Sequence, residues 1–133
     1  MKGIYALLIQ IDEFASINVG ALGKKDFKPG LYAYVGSAQN GIEQRVKRHL
    51  EKKKTLFWHI DYLLNSKKAK IIKILYKQAH KEEECRLAQK LRRHNQAAYG
   101  FGSSDCHCLS HLFSISNSKE LDTMKLLSTL SSQ

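Results

Sequence analysis

Apolar positions along the chain recur with two periods, and the switches between them mark the elements. Gly3–Ile11, GIYALLIQI, is apolar on both sides of the alternation, which predicts a central strand buried on two faces. Ser16–Val19 reads as a short second strand, and Gly23–Gly30, GKKDFKPG, as a turn holding the only proline. In the next strand, Leu31–Val35, the residues Leu31, Ala33 and Val35 face one way and Tyr32 and Tyr34 the other. Asn40 followed by Glu43 is a capping-box pattern, predicting a helix from Gly41 to Lys53. Thr55 is placed to cap a second helix through Asn65, with Leu56, Ile60, Leu63 and Leu64 on its inner stripe.

The remainder alternates in the same way. Lys70–Tyr76 predicts a strand with Ile72, Ile74 and Tyr76 on one face, and His80–His94 a third helix carrying Leu87, Ala88 and Leu91 inward. Gly100 and Gly102 open an irregular segment through Cys106–Cys108, followed by a short strand at Leu112–Ile115 and a last helix from Ser118 to Leu130. Helices interleaved with strands on short turns predict an α+β fold, a small, mostly antiparallel β-sheet flanked by helices. At 133 residues, one domain is expected over 1–133, with a C-terminal extension from about residue 100.

Composition narrows the setting. The longest apolar run, near Ala6–Ile11, is too short to span a membrane, and no signal peptide opens the sequence. A cytoplasmic address is expected, with the three cysteines as reduced thiols or metal ligands rather than a disulfide framework. Twenty-two Lys and Arg against twelve Asp and Glu give a net charge of +10, a field that attracts polyanions. Nucleic acid is the expected partner, with Lys47, Arg48, Lys52 and Lys53 as candidate backbone contacts. Lys54, Lys67, Lys68, Arg92 and Arg93 extend the same basic surface.

Several residues carry candidate chemistry. Arg45 and His49 stack on one helix face beside the Ile42–Val46–Leu50 stripe, so both stand at the edge of the core. They form either a phosphate clamp with a proton-moving imidazole or a basic face snorkelling over apolar residues. Glu84 heads the inward stripe of the third helix, and an inward carboxylate needs a partner, either Arg45 or a divalent metal. Cys106, Cys108 and His111, with Cys85 as a fourth ligand, offer thiolate and imidazole donors to zinc; the alternative is that the cysteines are small core residues. Ser104 and Asp105 are weaker candidates for closing a phosphate site. Trp58 is either a packing residue or a platform for a base. Gly20–Lys25 lacks the spacing and the hydroxyl of a phosphate loop and is excluded.

Taken in order, Gly3-Ile4-Tyr5, Tyr34-Val35-Gly36, Arg45, His49 and Glu84 resemble the GIY-YIG nuclease superfamily, from Gly3 to about Leu91. YVGSA, RHL, WHIDYLL, EC and GFGSSDCHCLSHL are similar to an uncharacterised prokaryotic branch that occurs alone or fused to base-excision glycosylases. The resemblance implies a divalent-metal-dependent endonuclease that cuts DNA, with a role in DNA repair and repair proteins as partners. It implies that Glu84 holds one Mg²⁺ or Mn²⁺, that Arg45 stabilises the phosphate charge, and that Tyr5 or Tyr34, helped by His49, orients the attacking water. The long link between the two tyrosines leaves Tyr32 as an alternative hydroxyl, and Asn95 is the nearest counterpart of a late family asparagine. Two other readings stand beside it. One is a non-catalytic nucleic-acid-binding module in which Glu84 pairs with Arg45. The other is a zinc-stabilised interaction domain built on Cys85, Cys106, Cys108 and His111.

Overall fold

The apolar run Gly3–Ile11 forms β1, and its burial on both faces places it inside a sheet. The computed structural model describes residues 1–52, 54–103 and 106–127; Lys53, Ser104, Asp105 and the end of the expected last helix lie outside them. Antiparallel to β1 runs β4 (Gly30–Ala38), with Tyr5 opposite Gly36 and Leu7 opposite Tyr34. On the other side runs β5 (Ala69–Lys77), also antiparallel. Three shorter strands, β6 (Gln96–Ala97), β7 (Leu112–Ile115) and β8 (Lys125–Leu126), complete a sheet of order β6-β7-β4-β1-β5-β8.

The alternation along β1 and β4 divides the core between the two faces of the sheet. Tyr5, Leu7, Ile9, Tyr32 and Tyr34 join one apolar cluster, under α1 (Ile42–Leu50) and α2 (His59–Leu64). Ile4, Ala6, Leu8, Ala33 and Val35 join the other, under α3 (Glu82–Arg92). This is an α+β arrangement, an antiparallel sheet flanked by helices, of a kind that many small domains share. None of the described helices is long and apolar enough to cross a membrane.

Six features depart from the sequence reading, each for a local reason. The Gly23–Gly30 turn contains a strand, β3 (Lys24–Phe27), which pairs with β2 (Ala15–Asn18) in a separate ribbon pinned by Ser16 Oγ donating to Asp26 at 2.8 Å. The long link between Tyr5 and Tyr34 is therefore a folded-back hairpin, and β1 and β4 remain direct neighbours. α1 stops at Leu50 because Lys54 Nζ donates to the carbonyls of Arg48, His49 and Glu51 at 3.2, 2.8 and 3.1 Å. Its start is not a capping box either. Glu43 lies 3.6 Å from the Met1 ammonium, and the Met1 carbonyl accepts the Ile42 N–H at 2.8 Å.

α2 begins three residues later than a Thr55 cap would place it. The buried Asp61 carboxylate accepts the N–H groups of Phe57 and Trp58 at 2.9 and 2.8 Å, so the chain enters the helix extended. In β5 the register slips between Leu8 and Ile9, which turns Ile72 outward (51% exposed) instead of leaving it beside Ile74. The described part of the expected last helix is a 3-10 turn, Lys119–Leu121, followed by β8 paired to β5. Leu121, Met124 and Leu127 are buried there at a spacing of three, which mimics helical periodicity.

Candidate metal centre and the adjoining cleft

Because β1 and β4 are adjacent, Tyr5, Tyr34 and Gly36 come together at one end of the sheet. A Cβ at Gly36 would overlap the Tyr5 ring, so glycine is what lets that ring cross β4. The Tyr5 hydroxyl stands 2.7 Å from His49 Nε2, and Tyr34 packs edge-on to the same imidazole at a centroid distance of 6.2 Å. His49 is buried, and Nδ1 finds no partner among the described residues.

Burial, then the Lys54 charge, pushes the imidazole down to about 3. Burial pushes the Tyr5 phenol up against the pull of Arg45, and it raises the Tyr34 phenol as well. Near neutral pH this end of the sheet therefore presents two protonated phenols and a neutral imidazole. Tyr32 does not take part: its hydroxyl donates to the Lys28 carbonyl at 2.8 Å.

Tyr5, Tyr34 and Gly36 line a cleft of about 590 Å³ whose walls include Arg45, Phe57, Trp58, Lys81 and Glu84. Arg45 Nη1 donates to the Ser37 carbonyl at 3.1 Å, and its guanidinium lies 4.5 Å from the Trp58 ring centre. Arg48 lies 4.2 Å from that ring and grips Asp61 through both guanidinium nitrogens at 2.8 and 2.9 Å. Of the expected basic surface, Arg48 is thus placed in a part-buried ion pair and Lys54 in a helix cap, while Lys47 and Lys52 stand exposed. Trp58 is a packing residue covered by two cations.

Of the two partners read for Glu84, Arg45 forms no ion pair with it among the described residues. Glu84 Oε2 lies 3.5 Å from His111 Nδ1 and lines the cleft. Asn95 donates to the Leu91 carbonyl at 2.9 Å and closes α3, away from the cleft lining. Sequence reasoning gave no role to Asp61, Phe57 or Lys81. The four-residue reach from Phe57 to a lone acid in α2 was the available signal for Asp61. Nothing local distinguishes Lys81 from its exposed neighbours.

Beside the cleft, α3 presents Cys85, the residue after Glu84, and the segment before β7 presents Cys106, Cys108 and His111. Their four donor atoms all lie within 4.8 Å of one another. Donors around tetrahedral zinc stand about 3.5–4 Å apart, given bonds of about 2.3 Å to sulfur and 2.0–2.1 Å to nitrogen. His111 Nδ1 is 3.2 Å from the Val35 carbonyl, to which its N–H can donate, and Nε2 is 3.4 Å from Cys106 Sγ. That tautomer turns the bare nitrogen toward the thiols, the usual arrangement of a ligating histidine.

Burial pushes the Cys85 and Cys108 thiols up; it opposes ionisation of Cys106 as well, but the Cys108 N–H helps to draw that thiol down. A divalent cation among crowded thiols lowers all three. Three sulfurs and an imidazole are soft and borderline donors that suit Zn²⁺; Mg²⁺ and Mn²⁺ require oxygen. This donor set overturns the expectation of a single Mg²⁺ or Mn²⁺ on Glu84, and with it the magnesium-nuclease description.

The chain belongs to the family described as "Domain of unknown function DUF123", whose model matches residues 4–131. That membership corrects the GIY-YIG nuclease resemblance and the glycosylase-linked branch read from the motifs. No curated protein matches the chain, and no solved structure does.

Proposed function

For this DUF123 chain, we propose a zinc-stabilised domain that binds nucleic acid in the cleft beside the metal centre. The observation that carries it is the joining of the two features through His111. Its ring faces the three thiols on one side and Glu84, in the cleft wall, on the other. Arg45 and Lys81 supply cations to the cleft, within a chain of net charge +10. With Nη1 engaged by Ser37, the Arg45 fork keeps further N–H groups for a phosphate oxygen. Tyr5 and Tyr34, held protonated by burial, act as hydrogen-bond donors rather than bases. This favours binding over hydrolysis.

Elemental analysis of protein purified without added metal should give about one zinc per chain, falling to none in Cys106→Ser. Oligonucleotide binding should weaken steeply with salt, and Arg45→Ala should lose about tenfold in affinity or more. A well-folded metal-free protein would remove the zinc half of the reading. Absence of oligonucleotide binding at low salt would remove the other half. Strand scission abolished by Glu84→Gln would replace binding with catalysis.

A further inference from the structure

The cleft has an apolar rim that the proposed function leaves unused. Phe57 is 76% exposed, the most exposed of the large hydrophobic residues described. It is not a loose side chain. Its N–H is held by Asp61 at 2.9 Å, its ring packs edge-on against Trp58 at 6.1 Å, and it lines the cleft shared with Arg45 and Lys81. Trp58 cannot serve as a free platform, because Arg45 and Arg48 lie over its ring.

We infer that Phe57 is the platform on which an unpaired base of a single-stranded nucleic acid stacks while its phosphate lies against Arg45 and Lys81. This inference rests on the proposed nucleic-acid binding and narrows it to a class of ligand. An aromatic face beside a cationic groove is how sequence-tolerant single-strand binding is built, since every base offers a π-face. A base inside a duplex already has both faces stacked and cannot take the ring. The volume of about 590 Å³ lies within the range of small-ligand sites and accepts a nucleotide. The charge of the site selects a polyanion over an apolar peptide as the occupant.

Trp58 is the only tryptophan of the chain and touches both Phe57 and Arg45, so its fluorescence reports occupancy. The test titrates wild type, Phe57→Ala, Phe57→Leu and Phe57→Tyr with oligothymidylate, with an abasic oligomer of the same length, with duplex DNA and with heparin. Phe57→Ala and Phe57→Leu are expected to bind oligothymidylate about tenfold more weakly, and Phe57→Tyr within about twofold of wild type. Abasic oligomer and heparin should bind all four proteins alike, and duplex more weakly than single strand.

Equal oligothymidylate affinity in Phe57→Ala and wild type overturns the inference and leaves the exposed ring to a protein partner. The same loss on abasic oligomer or heparin also overturns it, because the ring would then act through the cations. If wild type binds none of the nucleic acids, the proposed function has failed and this inference falls with it.

Discussion

Asp61 is fully buried yet charged, because Arg48 and the N–H groups of Phe57 and Trp58 supply four donors to its two oxygens. Burial pushes its carboxyl up, and these hydrogen bonds outweigh burial and hold it below the usual value. Asp61→Asn leaves the Arg48 charge without its partner and should cost about 3 kcal/mol, read by urea unfolding. His49 and Asp61 both have folded values below their unfolded ones, so the unfolded chain binds more protons and acid destabilises the fold. The His49 contribution is complete above about 6.5 and fades as pH falls toward about 3; that of Asp61 fades below about 4. Lys54, Asp61, Arg45 and Arg48 are the charges that act on His49, and the lowered His59 adds a smaller loss in the upper window. Unfolding midpoints across pH should therefore begin to fall near 6.5, and His49→Leu should flatten that upper limb while keeping the lower one.

The elements show what a sequence discloses and what it withholds. Strand β1, the two faces of β4 and the inward stripe of α3 are legible because side-chain alternation and helical spacing are local properties. Tyr5, Tyr34, Arg45 and His49 are legible as neighbours once β1, β4 and α1 are ordered. The Lys54 cap and the Arg48–Asp61 pair are recorded by no period, whereas the grouping of Cys85 with Cys106, Cys108 and His111 is legible from donor chemistry and is what the structure brings together. The late segment misled because a spacing of three suits a helix and a 3-10 turn alike.

Two outcomes belong to this scale. Gly36→Ala drives a Cβ into the Tyr5 ring across the β1–β4 pair and should cost about 1–3 kcal/mol, with weaker oligonucleotide binding, in paired unfolding and titration experiments. If the cluster holds zinc as proposed, chelation should release the segment that carries His111. Its N–H and carbonyl bond the Phe101 carbonyl and the Val35 N–H at 2.8 and 2.9 Å. Hydrogen exchange at the His111 and Val35 amides should then accelerate well before the amides of β1 do.

At the scale of the whole molecule, the sheet is widest at its centre and narrow at both flanks. β1, β4 and β5 are nine residues long, whereas β6 and β8 have two residues each. Such brief outer strands give a second chain almost nothing to extend. β8, together with the Leu127 N–H bonded to the Ile74 carbonyl at 2.9 Å, covers Ile74, Leu75 and Tyr76 toward the end of β5. A chain ending before Lys125 would bare that long strand, softened only by Lys70, Lys73 and Lys77 along it. Such a truncation should sediment as larger species as concentration rises, while the full chain does not. On that expectation the short β8 would limit edge-to-edge pairing along the part of β5 that it covers.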